Sequence, residues 1–463
     1  MPASETATAP APLRVHTTAT VLRGWGGGDG AAVQLARPTA RDELDAALEQ
    51  ARAAGGAIAR GMGRSYGDAA QLSRHVVIDT TGLKGFELDP RRGTVTAQAG
   101  VTLMELLEAL VPRGWMVPVV PGTQHVTVAG AIASDIHGKN HGVAGTFGVH
   151  VEELGLLTSS GEVLELAPGA PDGIFEATLG GMGLTGVILW ARVRLRAVTS
   201  ALLSVDTDRV DGLDDALAAL RAPGGPHRVA WLDLLGPRPG RGVVTRAEHV
   251  ERSAVPPGDP GAATVRARAT VPARWPQGLL RASTIRAFNE LRFRGAPQRQ
   301  REHLESIGAH MFPLDALVAW PRLYGRRGFV QYQLVVPFGE ERALHRVIER
   351  LAWARVPCFL AVLKDFGAAN AAPLSFPIEG WTLALDLPRA APGLAVLLDS
   401  FDDLVAAAGG RVYLAKDSRM RPGALEAMYP RLSEWRAARD RVDPDGLWRS
   451  DLALRTGLLG GDR

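Results

Sequence analysis

Arg60-Gly61-Met62-Gly63-Arg64-Ser65-Tyr66-Gly67-Asp68, entered from the short apolar run Ala57-Ile58-Ala59, is the stretch on which the fold turns. Three glycines in seven residues let backbone N–H groups close on a phosphate. The spacing excludes two common cradles. The third glycine falls one place late for a dinucleotide fingerprint, and Ser65-Tyr66-Gly67-Asp68 does not open a helix. No Gly-Lys-Ser/Thr follows anywhere, so there is no Walker A loop. On its own the loop also reads as a turn-rich connection.

Two further segments change that balance. Pro121-Gly122-Thr123 leads into Val126-Thr127-Val128-Ala129-Gly130-Ala131-Ile132-Ala133-Ser134-Asp135-Ile136-His137-Gly138, where small residues let a backbone lie flat against a ligand. Gly180-Gly181-Met182-Gly183-Leu184-Thr185-Gly186 precedes a long strand pattern. Three glycine clusters without a Rossmann signature suggest one extended ligand threaded through loops.

The 463 residues allow two or three domains, and 46% hydrophobic with 22% charged residues is a globular composition. A net charge of +3 gives no argument for a nucleic-acid partner. The single cysteine, Cys358, excludes an internal disulfide and a Cys-based zinc site. The opening Ala/Thr/Pro-rich stretch reads as a loose tail, not a secretory signal, and no apolar run is long enough to span a membrane. A cytoplasmic protein, or one peripheral at the cell membrane, is expected. Of 52 basic residues only four are lysines: Lys84, Lys139, Lys364 and Lys416. The last three sit in motif-like segments. An ammonium, unlike a guanidinium, gives up its proton when desolvated, so these lysines are candidates for chemistry; the plain alternative is surface charge.

The patterning predicts strands at 57–60, 76–79, 94–99 and 185–195, with a hairpin return at 161–166. Thr102 and Glu105 form a capping box ahead of a helix over 103–110. This is not a regular βαβ alternation. Beyond 197 the pattern predicts helices at 214–221, 340–354 and 393–408, and strands at 229–234, 329–337 and 381–386. The Pro/Gly/Ala-rich stretch 248–276 reads as a long mobile loop. Residues 281–294, with many arginines and Ile285, Phe288, Leu291 and Phe293, read as an amphipathic helix, either solvated or facing a membrane or partner. The class is α+β.

The motifs resemble the FAD-binding domain of the vanillyl-alcohol-oxidase/p-cresol-methylhydroxylase (VAO/PCMH) flavoprotein superfamily. In wording the chain is closer still to the decaprenylphosphoryl-β-D-ribose oxidases, the oxidase subunits of the 2′-epimerase. The segments Arg60–Asp68, Asp135-Ile136-His137-Gly138-Lys139-Asn140-His141, Gln331-Tyr332-Gln333, Ala372-Pro373-Leu374-Ser375-Phe376-Pro377-Ile378 and Ala415-Lys416-Asp417-Ser418-Arg419 carry the likeness. It runs from about 15 to about 455, nearly the whole chain. It implies a two-part FAD domain, 13–196 completed by 411–463, around an α+β substrate domain, 197–410, with an antiparallel sheet.

For FAD the resemblance implies Ala59, Arg60, Gly61, Met62, Gly63, Arg64, Ser65, Tyr66, Gly67, Asp68 and Ala69 as the pyrophosphate loop. Gly122, Thr127, Val128, Ala129, Gly130, Ser134, Asp135, Ile136, His137, Ile188 and Tyr413 complete the cofactor set. The implied substrate contacts are Lys139, Tyr324, Gln331, Gln333, Lys364, Thr382 and Ala384. Lys416, His137 and Tyr66 are the implied catalytic residues, with Lys416 as proton acceptor; His137 reads alternatively as the base, as a tuner of the flavin, or as a structural partner of its loop.

Two departures matter. Relatives that bind FAD covalently use a histidine in the first loop, where this chain has Arg64, so the FAD is expected to be non-covalent. Thr382 and Ala384 replace an asparagine and a cysteine of the mycobacterial type. The implied reaction is oxidation of the 2′-hydroxyl of a polyprenylphosphoryl-β-D-ribose to the 2′-ketone. An NAD-dependent reductase partner completes the epimerisation toward the arabinose donor of cell-wall arabinan. A flavin oxidase of a soluble sugar, alditol or sugar-containing natural product using oxygen is the alternative, and a flavin-free carbohydrate- or lipid-binding protein is the reading from another class.

Overall fold

The computed structural model describes residues 15–236, 238–255, 261–274 and 280–461. Three sheets carry the chain. The first holds strands in the order Thr17–Gly24, Gly27–Ala36, Val76–Asp79, Ala57–Arg60; its first pair is an antiparallel hairpin and the remaining pairs are parallel. The helix Arg41–Ala53 buries Leu44, Leu48 and Ala51 in a core shared with Val76, Ile78 and Trp448.

The second sheet is antiparallel, in the order Phe86–Asp89, Thr94–Gln98, Val187–Arg194, Val151–Leu157, Val163–Leu166. Thr102 and Glu105 close both halves of the predicted capping box, and the helix Leu103–Leu110 follows at its predicted bounds.

The third sheet has eight antiparallel strands: Arg299–Ser306, Leu202–Val210, Arg241–His249, His227–Asp233, Leu360–Phe366, Gly380–Pro388, Phe329–Pro337 and Arg411–Val412. The helices Leu213–Arg221, Glu341–Trp353 and Leu394–Ala407 pack their apolar stripes into the large core beside it. Mixed helix and antiparallel sheet is the α+β class. The last residues return to the first sheet. Ala57 N donates to Leu447 O, Arg449 N donates to Ala57 O, and Arg455 pairs with Asp68 at 2.7 Å. The segment beginning at 411 also supplies the edge strand of the eight-stranded sheet, so it serves both halves.

One expectation is corrected. The stretch 248–276 is not a free loop over its described residues. Glu248 and His249 finish the strand Arg241–His249. Val265 exchanges two hydrogen bonds with the buried Gln124 amide, and Ala269–Thr270 pairs in parallel with Leu317–Val318. Main-chain pairing orders a segment too poor in apolar residues to signal order by pattern. Residues 256–260 and 275–276, part of the same expectation, lie outside the described residues. Among the described residues, no helix is long and apolar enough to cross a membrane.

Candidate active site

One continuous cleft takes its lining from both halves of the chain. On one side run Ala59–Tyr66, Gly122, Thr127, Ala129, Gly130, Ser134, Ile136 and Ile188; on the other stand Gln331, Gln333, Leu360, Val362, Lys364 and Ala384. The register of the large sheet explains the second wall. Gln331 faces Asp386 and Gln333 faces Ala384, while Leu360, Val362 and Lys364 lie opposite Asp386, Ala384 and Thr382. Alternation along a strand therefore puts Thr382, Ala384 and Asp386 on the cleft face with both glutamines and Lys364.

The glycine loops interlock. A Cβ at Gly61 would stand 2.3 Å from Thr127 Oγ1, which itself accepts from Gly130 N and caps the helix Val128–Ala133. Gly63 has φ +62°, and the amides of Met62, Gly63, Arg64 and Ser65 have no partner among the described residues. Such a row of unpaired N–H groups suits a diphosphate. A Cβ at Gly122 would meet nothing within 4 Å, so its backbone leaves the cleft open. The expected FAD fits this cradle.

At the other end of the cleft three elements converge. His137 Nε2 lies 3.0 Å from Gln333 Nε2, and His137 Nδ1 lies 3.1 Å from Lys364 Nζ. Gln333 also donates to Thr382 Oγ1. In this orientation of the Gln333 amide, His137 accepts at Nε2, carries its proton on Nδ1 and donates it to Lys364. That requires a neutral Lys364 amine. Burial, reinforced by Lys416 and Lys139, lowers Lys364 to about 7. Burial, the largest cause, holds His137 well below its ordinary value, so it is neutral.

Lys416 Nζ sits 3.9 Å from the centre of the Tyr66 ring, with no hydrogen-bond partner among the described residues. Burial lowers it to about 7, against an opposing pull from Asp386. Tyr66 is pushed up by burial and stays protonated. An amine that gives up its proton near pH 7 and is open to the cleft can accept one from a ligand.

Several expected residues lie elsewhere. Lys139 Nζ donates to the carbonyl of His310 and does not line the cleft. Asp68 is engaged by Arg455, and a Cβ at Gly67 would stand 1.9 Å from Asp417 O, so both serve the junction with the C-terminal segment. Val128 is fully buried. Asp135, at φ +39°, is buried and accepts from Gly148 N, Asn370 Nδ2 and Ser375 Oγ, which fixes the loop before His137. Tyr324 stands behind the wall, stacked on Phe329 at 4.4 Å. Ala69 and Tyr413 line the cleft, and the Tyr413 hydroxyl donates to Ser134 O at 2.7 Å.

The sequence reading missed Trp25, Asp315, Trp320, Leu360 and Val362 in the lining, and Asp386 on the strand face beside it. Asp386 Oδ1 accepts from Gln331 Nε2 at 2.6 Å, its Oδ2 has no partner among the described residues, and burial raises the carboxyl to about 7. Strand alternation from Thr382 and Ala384 is the signal that would have found it.

An FAD binding domain model matches residues 32–167, and a D-arabinono-1,4-lactone oxidase model matches 391–456. The decaprenylphosphoryl-beta-D-ribose oxidase of Mycolicibacterium smegmatis is 39% identical over 96% of this chain and 98% of its own. An uncharacterized protein of Streptomyces coelicolor is 41% identical over 77% of this chain and all of its own. Among solved structures, a BBE-like 1 protein of Physcomitrella patens superposes with a TM-score of 0.66 at 15% identity, covering 90% of each chain, which speaks for the fold.

Proposed function

The chain belongs to the decaprenylphosphoryl-β-D-ribose oxidase family of FAD-dependent oxidoreductases, and from that premise we propose that it oxidises the 2′-hydroxyl of a polyprenylphosphoryl-β-D-ribose. The product is the 2′-ketone, the first half of an epimerisation that an NAD-dependent reductase completes toward the arabinose donor of cell-wall arabinan. The observation that carries the reading is Lys416: a buried amine, lowered to about 7, open to the cleft beside His137 and Lys364.

FAD, when bound, supplies the acceptor for the hydride that leaves the carbinol carbon. The protein supplies the proton chemistry and the geometry. Lys416 takes the proton of the reacting hydroxyl as its oxygen becomes a carbonyl. Lys364, held by His137, can donate an N–H to that oxygen. Gln333, tied to both His137 and Thr382, fixes the wall against which the sugar rests. Tyr66 lies against Lys416 on one side and leaves it open to the cleft. Peripheral contact with a membrane, the source of a polyprenyl substrate, belongs to the same reading.

The test is anaerobic stopped-flow flavin reduction with a polyprenylphosphoryl ribose, against alditols and free sugars. Reduction by the phosphoryl ribose and not by the others supports the proposal. Fast reduction by an alditol, with none by the phosphoryl ribose, overturns it in favour of a soluble-sugar oxidase, a reading that the small Ala384 in the wall favours.

A further inference from the structure

The geometry points to the helix Ala282–Gly295, with the segment 261–274, as a docking surface for an anionic lipid bilayer at the mouth of the cleft. The helix has two faces. Ile285 and Phe293 are buried beside Trp231 and Val243, and Asn289 donates to Asp233 at 2.8 Å. The opposite face presents Phe288 at 45% and Leu291 at 74% exposure. Exposed apolar side chains that adjoin one another and are rimmed by polar residues mark a contact surface.

The stripe adjoins the cleft. Phe288 stacks on Phe359 with ring centres 5.8 Å apart, and the next residue, Leu360, lines the cleft. Phe359 meets Tyr324 edge-on at 6.1 Å, and Tyr324 meets Trp320, itself a cleft residue, at 6.5 Å. Trp320 follows Leu317–Val318, whose Val318 is 42% exposed and pairs with Thr270. A run of ring contacts thus links the helix to Trp320, beside the strand Leu317–Val318 that pairs with the segment 261–274.

Charge selects the occupant. Arg266, Arg268 and Arg274 on the segment, and Arg281, Arg286 and Arg292 on the helix and its cap, have no carboxylate within ion-pair distance among the described residues. The segment 261–274 contains no acid at all, and the single acid of the helix, Glu290, is taken by Arg241 and Arg294. Arg286 donates to Leu235 O and Arg292 lies over the Trp231 ring, so a chain with a net charge of only +3 gathers here arginines whose charge no carboxylate balances among the described residues. Apolar side chains flanked by arginines match an interface of acyl chains beneath anionic headgroups. The inference rests on the polyprenyl-phosphate reading in one respect: a lipid-borne substrate makes a docked mouth useful.

The test is co-sedimentation of the FAD-loaded full chain with phosphatidylcholine vesicles, with and without phosphatidylglycerol. The expected result is binding only to the mixed vesicles, lost as salt is raised. Leu291→Asp, and separately the pair Arg266→Glu and Arg268→Glu, should each lower vesicle binding by about tenfold. Flavin content, and flavin reduction by a short-chain, water-soluble phosphoryl-ribose substrate, should stay at wild-type level. No wild-type binding to the mixed vesicles overturns the docking surface, as does undiminished binding by both variants. So does self-association that Leu291→Asp abolishes in a protein that ignores vesicles. Vesicle binding without reduction by any phosphoryl ribose would overturn the proposed substrate and leave the surface standing.

Discussion

Lys364 Nζ lies 3.1 Å from His137 Nδ1, so a lysine of the substrate sheet and a histidine of the cofactor loop share one proton across the cleft. With Gln333 donating at the other nitrogen, the neutral imidazole is held in place. This leaves Lys416 as the amine without a prior engagement.

Lys416→Ala should keep its flavin but slow anaerobic reduction by substrate by roughly 10²-fold or more, the loss expected when a general base is removed. Lys416→Arg should fail as well, because a guanidinium keeps its proton. Stopped-flow absorbance of the flavin reads both. Wild-type reduction by Lys416→Arg would move the base assignment to His137.

The reduction rate should rise with pH through about 7 and then level, as Lys416 loses its proton. Asp386 pulls that value upward, so Asp386→Asn should move the rising limb to lower pH. The same substitution turns an acceptor of the Gln331 amide into an amide, and should raise KM as the wall loosens. An unmoved limb in Asp386→Asn would separate Asp386 from Lys416.

Much of this site was legible because local chemistry announces itself. The capping box at Thr102 and Glu105, the strand Phe329–Pro337 and the glycine clusters all follow from short-range patterns. The strand Arg299–Ser306 was not legible, since an exposed edge of almost wholly polar residues carries no alternation to read. Lys364 was visible as a motif but not as part of the strand Leu360–Phe366, because a lysine and an aspartate interrupt its apolar run. Asp386 and Lys139 show the remaining gap. Which of two buried polar residues faces the cleft depends on contacts across more than a hundred residues, and periodicity holds no record of those.

Acid precipitation should leave all the flavin in the supernatant. Among the cleft-lining residues His137 is the one histidine, and both of its ring nitrogens are engaged. Cys358 is buried outside the lining, and its thiol points to Leu360 O. Flavin absorbance retained in the washed pellet would contradict this.

Two glycines should fail in different ways. A side chain at Gly122 meets nothing in the protein but enters the cleft, so Gly122→Val should fold normally and bind FAD weakly. At Gly67 a Cβ would stand 1.9 Å from Asp417 O, in the joint that returns the C-terminal segment. Gly67→Ala should therefore lower stability by about 1–3 kcal/mol, the usual cost of overpacking. Thermal melts and flavin titration of both variants separate the two effects.

Lys416→Met should melt at a higher temperature than wild type at neutral pH while losing activity. Burial lowers the folded value of Lys416 to about 7 from 10.5, so the unfolded chain binds its proton more tightly. The resulting penalty on the folded state is full below about 7 and fades as pH rises toward 10.5. Methionine fills a similar volume and removes the charge, so the gain should be a few degrees at about pH 6 and should shrink by about pH 9. Scanning calorimetry at the two pH values measures it. A variant that melts lower than wild type at both would mean that Lys416 stabilises the fold, and that its placement over Tyr66 is structural before it is catalytic.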